Sequence, residues 1–254
     1  MWGGDAIILG MQGRGLFFAL FLLSGCVSQW CAPYEMIYVP VQTATYEIAT
    51  WQKMTNSDNP VHIYIEGDGH AFHASGAPTS DPTPRGMFMR DLAASDKSPN
   101  VAYVARPCQF LMSPMCAQTD WTDGRFSPRV IDALAETVKT IAKNRPVILI
   151  GYSGGAMATG LIIKNYPEIN VVKWITIAGV LNHVEWTDFF GDSPLSSSLN
   201  MDELPHVPQQ HYAAQNDKVV PISLTRKWAA EKDIVIVPNA AHENMGMLKL
   251  DFSY

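Results

Sequence analysis

Charge is sparse in this sequence, cysteine is rare, and neither an internal repeat nor a low-complexity stretch is visible. Asp, Glu, Lys and Arg make up 17% of the 254 residues, the formal net charge is −6, and no block of like charge stands out. Contact with a nucleic-acid backbone needs a basic stripe, so this balance argues against nucleic acid as a partner. No pair of cysteines spaced by two to four residues has histidines nearby, which leaves no zinc pattern. His70-Ala71-Phe72-His73 lacks a third ligand and reads as a pair of solvated loop histidines. No metal and no cofactor is expected. The apolar run Leu16–Leu23 is too short to cross a bilayer as a helix. What the chain does have is apolar content: 47% of its residues, enough for one sizeable core.

The apolar run follows Arg14 and leads into Leu23-Ser24-Gly25-Cys26, as a secretion signal would. This segment resembles the lipobox of bacterial lipoproteins, in which the chain is cut before the cysteine and the cysteine carries a lipid. The resemblance implies a lipoprotein-type signal peptide at 1–25 and lipid attachment at Cys26. It also implies an exported protein held to a membrane of the bacterial cell envelope, facing the periplasm or the exterior. The alternative is an ordinary signal peptide with a chance cysteine. Asp5 precedes any positive charge, so Met11 is a second candidate start. Residues 26–44 show no clear period and read as a tether, with the folded domain over 45–254. Export permits disulfides. Cys108 and Cys116 share one short loop and are expected to pair, leaving Cys31 without an assigned role.

Beyond the tether, strand-like runs alternate with helical ones. The strand candidates are Tyr46–Trp51, Val61–Ile65, Val101–Ala105, Val147–Ile150, Trp174–Ala178, His211–Ala214 and Ile234–Val237. Most are continuous apolar runs, as expected of strands buried on both faces of a parallel sheet. The clearest helix spans Ser127–Arg145. Ser127 is its candidate N-cap, Pro128 occupies the first helical position, and Val130, Ile131, Leu134, Val138 and Ile141 share one face. Gly86–Ala94, Ala156–Asn165 and Leu224–Glu231 are further candidates. Such alternation predicts a single α/β domain with a mostly parallel sheet of about seven strands and helices on both faces. Asn182–Pro208 is the longest irregular segment. It is expected to lie over the carboxyl edge of the sheet, where ligands bind in open α/β folds.

Chemistry concentrates where Val147–Ile150 runs into Gly151-Tyr152-Ser153-Gly154-Gly155 and then into a helix rich in small residues. Gly-x-Ser-x-Gly alone is a weak signal, but a strand before it and a helix after it are what a nucleophile elbow requires. A serine hydroxyl needs a base within hydrogen-bond reach, and the base needs an orienting group. Asp217 follows the strand His211–Ala214, and His242 follows the last strand, so all three residues fall at one sheet edge. Asp188 and Asp192 are rival acids. His183 is the serious rival base because it also follows a strand, His206 is a further one, and His211 reads as a packing residue.

Ser153, Asp217 and His242 occur in the chain order of the α/β hydrolases. The stretch Asn216-Asp217-Lys218-Val219-Val220-Pro221 resembles that family's acid-bearing turn. The resemblance covers nearly all of residues 60–245 and implies a compact α/β-hydrolase domain without a large lid. Joined to the lipobox-like start, it resembles α/β-hydrolase lipoproteins of bacterial envelopes, with Arg106–Cys116 and Trp121–Phe126 as further shared features. The resemblance implies acyl transfer with an oxyanion hole of two backbone N–H groups. One comes from Gly154. The other comes from the turn Glu66-Gly67-Asp68-Gly69, by position from Asp68, with Gly69 next. Relatives carry a histidine where this chain has Glu66. The expected partner is a small-molecule or lipid ester. A peptidase, an acyltransferase or a non-catalytic binding protein on the same scaffold are the alternatives. Trp121, Trp186 and Met201 either line an apolar pocket or pack elsewhere.

Overall fold

Val61–Ile65 (β5) and Val147–Tyr152 (β7) are buried along almost their whole length and pair in parallel at the middle of an eight-stranded sheet. The computed structural model describes residues 35–55 and 58–254. The segment expected to be a signal peptide, Cys26 and Cys31 lie outside the described residues. Among the described residues, no helix is long and apolar enough to cross a membrane.

The elements follow in the order β1 (Ile37–Tyr38), β2 (Val41–Gln42), β3 (Glu47–Ile48), β4 (Thr50–Met54), β5, α1 (Phe88–Ser95), β6 (Asn100–Val104), α2 (Pro128–Ala142) and β7. They continue with α3 (Gly154–Asn165), β8 (Val171–Ile177), α4 (His183–Phe190), β9 (Gln209–Ala214), α5 (Ile222–Trp228) and β10 (Ile234–Val237). The sheet order is β1-β4-β6-β5-β7-β8-β9-β10, and β2 and β3 form a separate small hairpin. Pairing is parallel from β6 to β10, while β1 and β4 are antiparallel.

Period-two alternation sends successive side chains to opposite faces. Val61, Ile63, Val147 and Leu149 pack with Leu134 and Met157 from α2 and α3. Tyr64, Ile148 and Ile150 pack with Met89 and Ala93 from α1, and with the C-terminal stretch through Leu248 and Phe252. The chain leaves β5 for β6 on one side and then crosses back over β5 to β7 on the other. That reversal opens a crevice at the carboxyl ends of β5 and β7.

Three expectations need correction. The sheet has eight strands rather than about seven, because β1 adds to the edge by pairing Ile37 with Gln52. For the same reason the stretch expected as tether up to residue 44 is folded from Met36 onward: Met36 and Val41 are buried and β2 pairs with β3. Strands of two residues are too short to display a period. Asn182–Pro208, expected to be irregular, contains the helix α4. Asn182 caps it by accepting the Glu185 N–H at 2.9 Å, and Val184, Phe189 and Phe190 are exposed along it. Ser127 stands at the N-cap of α2 without a side-chain cap bond. The helix starts instead on Pro128 and on the Ser127 carbonyl, which accepts from Val130 and Ile131 at 3.0 Å each. Cys108 and Cys116 form a disulfide, as expected.

Candidate active site

The turn between β7 and α3 is built by close approach. A Cβ on Gly155 would lie 2.5 Å from the Ile65 carbonyl, and one on Gly151 would lie 2.4 Å from the Gly155 carbonyl. Only glycine fits at these two positions. The squeeze leaves Ser153 at φ 52°, a conformation that costs a non-glycine residue energy and is held by the surrounding bonds. Its N–H donates to Ile177 at 3.0 Å, and its carbonyl accepts from Ala156 and Val180 at 3.1 Å each. The side chain is thereby turned out at the carboxyl edge of the sheet.

His242 Nε2 lies 3.0 Å from Ser153 Oγ, and His242 Nδ1 lies 2.8 Å from Asp217 Oδ2. Asp217 Oδ1 accepts the N–H groups of Val219 and Val220 at 2.8 Å each. The Asp217 side chain is fully buried and that of His242 is 11% exposed. With both carboxylate oxygens accepting, the proton on His242 belongs on Nδ1, and Nε2 is left to accept from the serine. Ser153, Asp217 and His242 are thus brought together, although they lie far apart in sequence.

The rivals lie elsewhere. His183 is buried and stacks on Phe126, with ring centroids 5.8 Å apart. His206 is exposed beside Glu203. His211 is buried in β9, bonded to Thr176 Oγ1 at 2.8 Å and Gln209 Oε1 at 3.1 Å. Burial lowers its pKa to about 4, so it is a neutral packing residue. Asp188 and Asp192 are exposed on and after α4.

The turn after β5 packs directly on the serine: a Cβ on Gly67 would be 3.1 Å from Ser153 Cβ. The Gly67 N–H is committed to Glu66 Oε1 at 2.9 Å. Among the described residues, the N–H groups of Asp68 and Gly154 have no hydrogen-bond partner. The two residues touch, since a Cβ on Gly154 would fall 2.1 Å from Asp68 Oδ1. Gly69, at φ 64°, sits against Pro82 and Gln109. The arrangement brings a serine hydroxyl, an imidazole, a carboxylate and two unpaired N–H groups together at one edge of the sheet. Acyl transfer needs that set.

No protein-family model matches the chain, and no curated protein does. Solved structures match it along most of its length. A serine hydrolase without lid from Xanthomonas campestris is 14% identical with a TM-score of 0.53, covering 84% of this chain and 88% of that one. A serine hydrolase from the polyaromatic hydrocarbon-degrading bacterium Cycloclasticus zankles is 11% identical with a TM-score of 0.56, over 82% and 92% of the two chains. An acylaminoacyl peptidase from Pyrococcus horikoshii is 13% identical with a TM-score of 0.52, over 82% of this chain and 37% of that one. The fold is the α/β-hydrolase fold.

Within this α/β-hydrolase fold, Ser153 and His242 open onto a cavity of about 790 Å³, of the size that small-molecule sites have. Phe72, Met87, Phe88, Val180, Trp186 and Val219 supply its apolar lining. Trp186 is therefore a pocket residue. Trp121 is buried elsewhere, with its indole donating to Thr79 at 3.1 Å, and Met201 packs in the core.

Several side chains that hold the site are given no such role by the sequence. Glu66 is buried and accepts from Tyr103 Oη at 2.8 Å as well as from Gly67 N–H. Burial raises its pKa. It pins the turn where relatives were expected to carry a histidine. Gln109, inside the disulfide loop, donates to the Gly67 carbonyl at 3.0 Å. Tyr152 Oη donates to the His242 carbonyl at 3.0 Å, and the two rings lie 5.3 Å apart. His70 and His73 meet edge to face at 5.7 Å.

Proposed function

We propose that the protein is a serine hydrolase that cleaves a carboxylic ester or thioester through an acyl-enzyme. The observation that carries this reading is the hydrogen-bonded chain Asp217–His242–Ser153, with Ser153 on a strained turn that faces a partly apolar cavity. In this mechanism Ser153 Oγ attacks the carbonyl carbon while His242 Nε2 takes the hydroxyl proton. Asp217 holds the proton on Nδ1 and stabilises the imidazolium. The N–H groups of Gly154 and Asp68 donate to the carbonyl oxygen as it becomes an oxyanion. His242 then passes its proton to the departing alkoxide or thiolate. A water, deprotonated by the same nitrogen, attacks the acyl-enzyme, and the acid and free Ser153 are regenerated.

The apolar walls suit an acyl chain or an aromatic group, so the substrate is read as a small-molecule or lipid ester. A fluorophosphonate probe should label the wild-type protein at Ser153, located by peptide mass spectrometry. A panel of esters of graded chain length, with matched thioesters and amides, should show turnover highest on esters or thioesters. Folded protein that is never labelled would overturn the hydrolase reading. Because one fold neighbour is an acylaminoacyl peptidase, amide turnover at or above ester turnover would replace the esterase reading with a peptidase one.

We also infer that the protein is exported and held to a bacterial envelope membrane by a lipid on Cys26, on the strength of Leu23-Ser24-Gly25-Cys26. Cys26→Ser should move the protein from the membrane fraction to the soluble fraction. Unchanged tight membrane association of that variant would overturn the inference.

A further inference from the structure

Asp68 places a carboxylate against Gly154, beside the point where negative charge develops in the proposed reaction. An isolated anion there would oppose the oxyanion. It is instead gripped from two sides: Arg125 Nη1 lies 2.7 Å from Oδ2 and Arg106 Nη1 lies 3.4 Å from Oδ1. Burial works to raise the Asp68 carboxyl, and the two guanidiniums more than offset it, so it is held below the ordinary carboxylate range.

The grip is itself braced. The Arg106 and Arg125 side chains are 5% and 7% exposed. Arg106 also donates to the Arg125 carbonyl, and Arg125 Nε donates to the Thr122 carbonyl at 2.7 Å. Arg125 lies over the Phe72 ring and Arg106 over the Phe126 ring, at 5.4 and 5.2 Å from the centroids. Both arginines come from segments far from the turn in sequence: Arg106 leads into the disulfide loop, and Arg125 ends the stretch after it. Two guanidiniums on one carboxylate offset its negative charge beside the two unpaired N–H groups.

We infer that Arg125 is a positioning residue for the oxyanion hole, acting through the Asp68 side chain to aim the Asp68 N–H and to cancel the Asp68 charge. This rests on the hydrolase reading above. Its effect belongs to the transition state, because the oxyanion exists only there, and not to the binding of the uncharged ester. A residue that merely held the loop together would lower thermal stability without that distinction.

The test is steady-state turnover of Arg125→Met and Arg125→Lys, as full chains, on the best ester of the panel. Alongside it, the affinity of phenylboronic acid, whose anionic serine adduct mimics the tetrahedral intermediate, is measured. In Arg125→Met, kcat should fall about 30- to 300-fold, approaching the roughly 100- to 1,000-fold lost with one oxyanion donor because the donor is displaced rather than removed. KM should stay within about threefold, and boronate affinity should fall in parallel with kcat, as for an interaction made only in the transition state. Arg125→Lys, which keeps the charge but loses the guanidinium fork, should fall between Arg125→Met and wild type. Folded Arg125→Met with kcat near wild type overturns the inference, as does a change confined to KM or a loss of kcat with boronate affinity intact. If Arg125→Met does not fold, Arg125→Lys decides by the same three readouts. Failure of the hydrolase reading is distinct: wild type itself would then neither turn over esters nor take the fluorophosphonate.

Discussion

Ser153→Ala and His242→Ala should each lower kcat for ester hydrolysis by a factor on the order of a million, and the double variant should be no slower than either single. The two side chains act as one unit. Without His242 Nε2, 3.0 Å from Ser153 Oγ, the hydroxyl keeps its proton and attacks poorly. Without the hydroxyl, the base has only water to activate. Each removal alone therefore collapses the covalent route, and the residual rate comes from the oxyanion donors and from binding. KM should change little, since neither side chain contributes binding that differs between variants. Steady-state kinetics on the four proteins of the cycle, at substrate levels well above KM, provide the measurement. A double variant much slower than either single would mean that the two groups act independently, and the proposed mechanism would fail.

Asp217→Asn should lower kcat by about 10⁴-fold while leaving the fold intact. The reason lies in the count of acceptors. Asp217 Oδ1 takes two backbone N–H groups and Oδ2 takes His242 Nδ1, so both oxygens must accept. An asparagine has one oxygen. If that oxygen keeps the N–H groups of Val219 and Val220, the amide NH₂ faces Nδ1. Nδ1 then becomes the acceptor and the proton moves to Nε2, where it blocks transfer from Ser153. If the amide flips, the N–H groups of Val219 and Val220 lose their partner, at a cost of about 1–3 kcal/mol for the buried Val220 donor and less for Val219. The first arrangement is favoured, so the variant should melt close to wild type yet turn over poorly. Activity within about tenfold of wild type, well above what the wrong tautomer permits, would remove Asp217 from the orienting role.

The strand–turn–helix at Ser153 was legible because two periodicities meet there. A run of continuous apolar residues in Val147–Ile150 is the pattern of a strand buried on both faces, and that strand leads into glycines and then a helix of small residues. The structure adds the reason for those glycines: the Ile65 and Gly155 carbonyls come within 2.5 Å of where a Cβ would sit. Asp217 and His242 were legible as residues following later strands, since parallel strands deliver their carboxyl ends to one edge. α4 and the two-residue strands β1 and β2 were not legible. The strands are too short to show a period, and α4 is a two-turn helix inside a stretch rich in proline and serine.

The side chains that hold the site were hidden for a different reason. Arg106, Arg125, Gln109 and Tyr152 lie in or beside stretches the sequence marks, but the sequence gives none of them a role, because their roles depend on which partner the fold brings to them. Arg125 meets Asp68 across 57 residues of chain and Gln109 meets Gly67 across 42. Each of these residues looks ordinary until the disulfide loop and the segment after it fold against the turn following β5.

The sequence alone determined the class of fold, the serine on its turn, and the placing of Asp217 and His242 after later strands. These follow from local rules: which residues bury in strands, which fit a tight turn, and where parallel strands end. Tertiary structure alone decided which histidine faces the serine, which of the N–H groups near it stay unpaired, and what neutralises Asp68. Distances between side chains depend on long-range packing, and no local pattern encodes them.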